Sequence, residues 1–400
     1  MKLSIPKAVL FLFSLSLGFV GIGCAQNATA QPTPNSPADF AAGKVLLAKM
    51  KQQAAARKPM LDRPYVFVRS QTKYSGRMYQ DTYNWHDRPL FANRLLWDDG
   101  SSDHKIASFA KNFALYQSYG LDGFATFAWP GAGEYKRTMN PIYETAAQMK
   151  LDPQQFHLML EVASDAAYLD IDKSTLGLIT DNPYSFHING KSVISSYVLD
   201  RLTPEQLGEP IPKLRERSDG KALVLPQIHF VGLKDGDGKS ISIFDLHDIY
   251  RHHDGELPAS ALRAMQEYLR GYARVTDGLY IGPLQSKLDR SADEKFSAEI
   301  LYPLFKSVLA EPEFNGKKLF GAGAKVGYTS YHNAQSLSRD GTKTLRATFD
   351  LAARFQPDLL IGTEWDELNE DTGFEPLFAT HHQILHEPLQ RSVAHAQSRR

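Results

Sequence analysis

The sequence predicts an α/β fold, and three observations carry that reading. Short β-branched or aromatic runs alternate with longer segments of helical spacing. Eight such runs can be counted along the chain. After the first of them, where an open nucleotide-binding sheet would carry a glycine-rich turn, stands Ser70-Gln71-Thr72-Lys73-Tyr74-Ser75-Gly76. Eight alternations without that turn fit a closed (β/α)8 TIM barrel better than a doubly wound sheet.

The elements follow in order. Lys2 and Lys7 precede an apolar stretch from Ala8 to Ile22, followed by Gly23-Cys24, so residues 1–24 read as an export signal. At about 15 residues the stretch is too short to span a bilayer. Cys24 is the only thiol of the 400 residues, which excludes a disulfide scaffold. Its place behind Gly21-Ile22-Gly23 matches bacterial lipoprotein signals, in which that cysteine is lipidated; the small residues Ala28-Thr29-Ala30 offer ordinary cleavage and soluble secretion as the alternative. The expected location is therefore outside the cytoplasm, with a lipid anchor as the only membrane contact. Residues 25–58 form a polar Gln/Asn/Thr/Pro/Ser tether and then a helix over Ala41 to Arg57. Residues 59–390 make the barrel.

Its strands are predicted at Tyr65 to Arg69, Gly123 to Trp129, Phe156 to Val162, Ser192 to Tyr197, Ala222 to His229, Gly278 to Ile281, Leu319 to Val326 and Asp358 to Thr363. Helices are expected over Asp103 to Tyr119, Pro258 to Val275 and Thr342 to Phe355. The paired phrases Leu121-Asp122-Gly123-Phe124 and Thr276-Asp277-Gly278-Leu279 each introduce a strand, and ordinary turn chemistry suffices for them. Forty-five Lys plus Arg against 45 Asp plus Glu leave none of the long-range positive field of a phosphate-backbone binder, so nucleic acid is not an expected partner.

In a barrel of this kind the chemistry lies at the C-terminal strand ends. That rule selects Arg69, Trp129, Glu161, Tyr197, His229, Tyr280, Tyr328 and the segment from Glu364 onward. Aromatic rings cover the C–H faces of sugars, and carboxylates, Arg and His bind their hydroxyls, so the list describes a carbohydrate cleft with an oligosaccharide or polysaccharide as partner. The same residues also have an ordinary reading as core and rim packing.

Most informative is Glu364-Trp365-Asp366-Glu367-Leu368-Asn369-Glu370, with three glutamates at spacing three. On a helical turn they share one face. Glycoside hydrolysis needs a carboxylic acid to protonate the leaving oxygen and a second carboxylate, and crowding beside Trp365 can hold one of them protonated. An acidic first turn of a helix is the structural alternative.

Trp365 to Pro376 (W-D-E-L-N-E-D-T-G-F-E-P) resembles, without a gap, the motif W-N-D-Y-G-E-S-H-Y-I-G-P of glycoside hydrolase family 71. With four residues inserted after Glu367, it is similar to the F-N-E-W-H-E-G-T-Q-I-E-P of family 99. Gly120-Leu-Asp-Gly-Phe-Ala-Thr-Phe and Asn189-Gly-Lys-Ser-Val-Ile-Ser-Ser resemble segments of the same barrel enzymes. The family 71 alignment implies Glu367 and Glu370 as catalytic residues; the family 99 alignment implies Glu364 and Glu367. The sequence departs from both, with Phe67-Val68-Arg69 where such enzymes tend to carry a His, and Glu for Asp at 367. The resemblance implies hydrolysis of an α-glycosidic bond in an α-1,3-glucan-like or α-mannan-like chain, with no cofactor.

Two other constellations point elsewhere. His382 and His386 lie four apart, but lack the Glu of H-E-x-x-H; His247, His252 and His253 stand among Asp245, Asp248 and Asp254. No ligand set is complete, so no metal is expected. Asp235-Gly-Asp237-Gly reads as a hairpin turn. The alternatives to a glycosidase are a surface lipoprotein that binds carbohydrate without turnover and a metal-dependent polysaccharide deacetylase.

Overall fold

A computed structural model describes residues 36–70, 102–128, 134–162, 165–235, 238–284, 290–329, 336–337, 340, 342–363 and 398. Eight parallel strands close into a barrel: β1 (Tyr65–Ser70), β2 (Gly123–Ala128), β3 (His157–Val162), β4 (Lys191–Ser196), β5 (Ala222–Ile228), β6 (Gly278–Ile281), β7 (Leu319–Ala324) and β8 (Leu359–Gly362). Each lies within two residues of its predicted bounds at both ends. β8 pairs with β1 in parallel, Tyr65 opposite Leu359 and Val68 opposite Gly362, and β3 pairs with β4, so no edge is left. The predicted helices are present as Pro37–Ala55, Ser102–Ser118, Ala259–Val275 and Lys343–Arg354.

The strands are nearly continuous apolar runs because both of their faces are covered. Outward side chains such as Val66, Phe124, Leu160, Val224 and Leu360 join the core beneath the helices. Inward ones, among them Phe67, Met159, Leu225, Tyr280 and Ile361, fill the barrel itself. Tyr280 fits because its neighbour on β7 is Gly321, where a Cβ would stand 2.9 Å from the Cβ of Tyr280. β4 is entered through Asn189-Gly190, both at positive φ (51° and 75°), which turn back the short antiparallel strand His187–Ile188.

Turn chemistry does not suffice for the two Asp-Gly phrases. Asp122 accepts from the backbone N–H of Val66 at 2.7 Å and from Arg63 at 2.6 Å; Asp277 accepts from Val224 N–H at 2.8 Å and from Arg215 at 3.0 Å. Each carboxylate thus tethers the neighbouring strand at the N-terminal rim. The glycine follows because a Cβ at Gly123 would overlap the carbonyl oxygen of His157 on β3. Asp358 repeats the device before β8: it accepts from Phe320 N–H at 2.9 Å, from Met60 and Leu61 N–H, and pairs with Arg57 in a fully buried contact.

The helix Pro37–Ala55 starts where the Ser36 side chain accepts from Asp39 N–H ahead of Pro37. It packs on the barrel helices: Phe40 stacks on His253 at 4.3 Å, Ser260 Oγ donates to Asp39 at 2.6 Å, and Lys44 pairs with Glu256. None of the helices is long and apolar enough to cross a membrane among the described residues.

Candidate active site

The inward positions change character toward the C-terminal end of the barrel. With side chains alternating along a strand, Phe67 is succeeded by Arg69, Met159 by Glu161, Val193 by Ser195, Leu225 by Gln227 and Ile361 by Thr363. Lys325 follows β7 at the same parity as Leu319 and is fully buried. An apolar barrel is thus capped by a polar layer.

Arg69 spans this layer. Its Nη1 donates to Glu161 Oε1 at 2.8 Å and to Gln227 Oε1 at 3.3 Å, joining β1 to β3 and β5 across the barrel mouth. Ser195 Oγ approaches Glu161 Oε2 at 3.5 Å. The guanidinium lies 4.9 Å from the centre of the Tyr197 ring, and Tyr197 meets His229 edge-on at 5.4 Å. Glu161 is wholly buried, where a carboxylate needs polar partners such as these. Burial, followed by the nearby Arg69, Lys325 and Arg201, pushes the His229 imidazole down to about 4, so it is neutral at pH 7. Its Nε2 is buried and has no hydrogen-bond partner among the described residues.

Above the layer opens a cleft of about 740 Å3, walled by Arg69, Tyr197, Arg201, Gln227, His229 and Thr363, among others. Two loop residues on this wall, Val198 and Phe230, have positive φ (51° and 59°), an outlying conformation for a β-branched and an aromatic residue. Asp200 holds both loops. Its buried Oδ2 accepts from the N–H of His229 at 2.8 Å and of Val231 at 3.2 Å, and from Tyr268 OH at 3.0 Å. Burial raises the Asp200 carboxyl above the usual carboxylate range, against these hydrogen bonds.

Of the strand-end residues named from the sequence, the structure brings Arg69, Glu161, Tyr197 and His229 into one constellation. Tyr280 sits lower, fully buried in the barrel interior and not on the cleft wall. Tyr328 is placed by its backbone, in a two-residue strand antiparallel to Ser336–Leu337. Trp129, Glu364, Trp365, Glu367, Glu370 and Cys24 lie outside the described residues, as do His382 and His386. Thr363, beside Arg69 on the rim, is the last described residue before the acidic segment. Strand-end reasoning missed Gln227, Ser195 and Lys325, whose signal is a polar residue at inward parity in an apolar run. It also missed Asp200 and Arg201, which lie in the short 3-10 turn Leu199–Arg201 after β4.

The other His/Asp constellation is dispersed. His247 is enclosed, its ring nitrogen 3.3 Å from the Ala292 carbonyl; Asp245 caps its helix with Ser242; His253 stacks on Phe40. No group of three potential metal ligands occurs among the described residues. Asp235 Oδ1 accepts from Lys239 N–H at 2.8 Å beside an antiparallel Lys234–Ser240 bridge, as a hairpin requires.

No protein-family model matches the chain, and no curated protein matches it in sequence. Among solved structures it is similar to the family 99 endo-α-mannosidase of Bacteroides thetaiotaomicron in complex with bis-tris-propane. The TM-score is 0.52 at 12% identity, over 79% of this chain and 88% of that one. A second structure of that endo-α-mannosidase gives a TM-score of 0.51 at 11% identity, over 79% and 84% of the two chains. At such identities the likeness is one of fold: this chain is a (β/α)8 barrel like that of glycoside hydrolase family 99.

Proposed function

We propose that the protein is an exported glycoside hydrolase that cleaves α-glycosidic bonds in an α-mannan-like or α-1,3-glucan-like chain. The observation that carries this reading is the polar layer of Arg69, Glu161, Ser195, Gln227 and Thr363 beneath an open cleft at the C-terminal barrel end, where such enzymes do their chemistry. The shared fold supports it, and so does the acidic segment that β8 feeds into. In this mechanism one carboxylic acid of that segment protonates the leaving oxygen. Glu367, common to both family alignments, and either Glu370 or Glu364 form the pair: one is the acid, and the other attacks the anomeric carbon, helps a neighbouring group do so or activates water, which supplies the new anomeric hydroxyl. The described residues bind and orient: Tyr197 offers a ring face, and neutral His229 exchanges a hydrogen bond with a sugar hydroxyl.

The test is sugar release from a panel of α-mannans and α-glucans. Glu367→Gln is expected to lower kcat by about 10²- to 10⁴-fold with folding intact. A matching loss in Glu370→Gln or in Glu364→Gln identifies the partner. Binding without release by the wild type would leave a carbohydrate-binding lipoprotein instead, and acetate release sensitive to chelators would indicate a deacetylase. Export through a lipid anchor rests on Cys24, and Cys24→Ser is expected to move the protein from the membrane to the soluble fraction.

A further inference from the structure

Between the loops after β4 and β5, the cleft wall carries features that cleavage of a neutral sugar does not require. Four large hydrophobic side chains are exposed among the described residues, and three of them, Tyr197 (37%), Val231 (52%) and Phe244 (44%), stand on this wall. Scattered exposed apolar residues need no explanation, whereas a cluster around one cavity marks a binding surface. Phe244 is held there by the first turn of the helix Ile243–His252, whose start is fixed by a reciprocal Ser242–Asp245 capping box.

The cations on the wall differ in state. Arg69 is engaged with Glu161 and Gln227. Arg201 is exposed, and its guanidinium makes no hydrogen bond or ion pair with the described residues. The one acidic side chain among the described lining residues, Asp245, is occupied in the capping box. Arg201 and His229 both line this space, and the backbone that presents them is fixed by Asp200. A guanidinium held beside apolar side chains, in a cleft whose one described lining acid is engaged, recognises a planar or tetrahedral anion on an otherwise C–H-rich ligand.

We propose that this wall is a subsite for an acidic sugar ring, one carrying a carboxylate or a sulfate. Arg201 pairs with the anionic group, Val231 and Phe244 cover the ring's C–H face, and His229 exchanges a hydrogen bond with a hydroxyl. The inference rests on the glycosidase reading for the cleft as a whole, and it extends that reading from neutral chains to anionic ones. The subsite lies on the β4–β5 side of the barrel, with β4 four strands and β5 three strands from β8.

Calorimetric titration of the full chain tests it with two matched pairs: α-1,4-tetragalacturonate against its carboxyl-reduced form, and sulfated maltotetraose against maltotetraose. The charged member of at least one pair is expected to bind at least tenfold more tightly, and which pair shows the preference separates carboxylate from sulfate. Arg201→Ala should bring that member to the affinity of its neutral partner, and Arg201→Glu should place it below. Lys213→Ala, an exposed lysine on the outer helix Pro210–Arg217, should leave the preference unchanged. Thermal melting of each variant at the wild-type temperature excludes misfolding as the cause. Equal affinity within both pairs, or a preference that survives Arg201→Ala, overturns the subsite. The titration does not depend on turnover, so charge-selective binding without sugar release would refute the glycosidase reading and keep the subsite. Release from neutral chains alone would do the reverse.

Discussion

Arg69 on β1 reaches past β2 to donate to Glu161 on β3 at 2.8 Å, and both side chains are withdrawn from water. A buried pair of this kind adds little net stability, but removing one partner strands the other charge. Glu161→Leu alone is expected to cost about 3–5 kcal/mol in urea unfolding. The double change Arg69→Met with Glu161→Leu should recover most of that loss while abolishing sugar binding. Additive losses in the double variant would show that the pair is not coupled.

Asp200 acts on the cleft through backbone. Asp200→Ala leaves the N–H groups of His229 and Val231 without their side-chain acceptor, a loss of about 2–4 kcal/mol; Tyr268→Phe removes the bond to the Asp200 carboxylate and the acceptor of Gly232 N–H, and should cost about 1–2 kcal/mol. The NMR signal of the His229 ring should shift in both variants. An unmoved signal in Tyr268→Phe would mean that the loop is held by other contacts.

Stability should fall on mild acidification. Burial pushes both His157 and His229 from an ordinary 6.5 down to about 4, so the folded chain binds fewer protons than the unfolded one between those values. The stabilisation is complete above pH 6.5 and is lost as pH falls toward 4, by about 1.4 kcal/mol per pH unit for each histidine. Neither ring nitrogen of His157 has a hydrogen-bond partner among the described residues, and its ring sits against Tyr65 and Phe186. His157→Phe should therefore flatten the slope of unfolding free energy between pH 4.5 and 6. An unchanged slope would place the titration elsewhere.

Two glycines should respond in opposite directions to alanine. At Gly123 the new methyl meets the His157 carbonyl, and Gly123→Ala should lower Tm steeply or prevent folding. At Gly177, within the helix Lys173–Thr180, the nearest atom is 3.8 Å away, and Gly177→Ala should stabilise by about 0.5–1 kcal/mol. Differential scanning fluorimetry decides both.

The barrel was legible because each strand is a short apolar run with helix-spaced sequence between, a pattern that local residues impose. The site was legible only as far as strand ends mark it. Arg69, Glu161, Tyr197 and His229 lie at or one residue before the ends of their runs and meet in space, whereas Tyr280, one residue before the end of its run, is directed into the barrel by its parity and by the room that Gly321 leaves. Gln227 and Lys325 are marked by their inward parity and not by end position alone. Asp200 and Arg201 could not be found that way, since their contacts join loops whose approach depends on the closed sheet.

The contact between Arg57 and Asp358 links residues 301 positions apart, and the same carboxylate receives the backbone of Met60, Leu61 and Phe320. Such a latch cannot engage until Asp358 has emerged, so the ring stays open while its earlier strands are being made. An unclosed barrel with exposed strand edges is a form that remains threadable, and closure then comes as one late, cooperative event in which the beginning of the fold recognises its end.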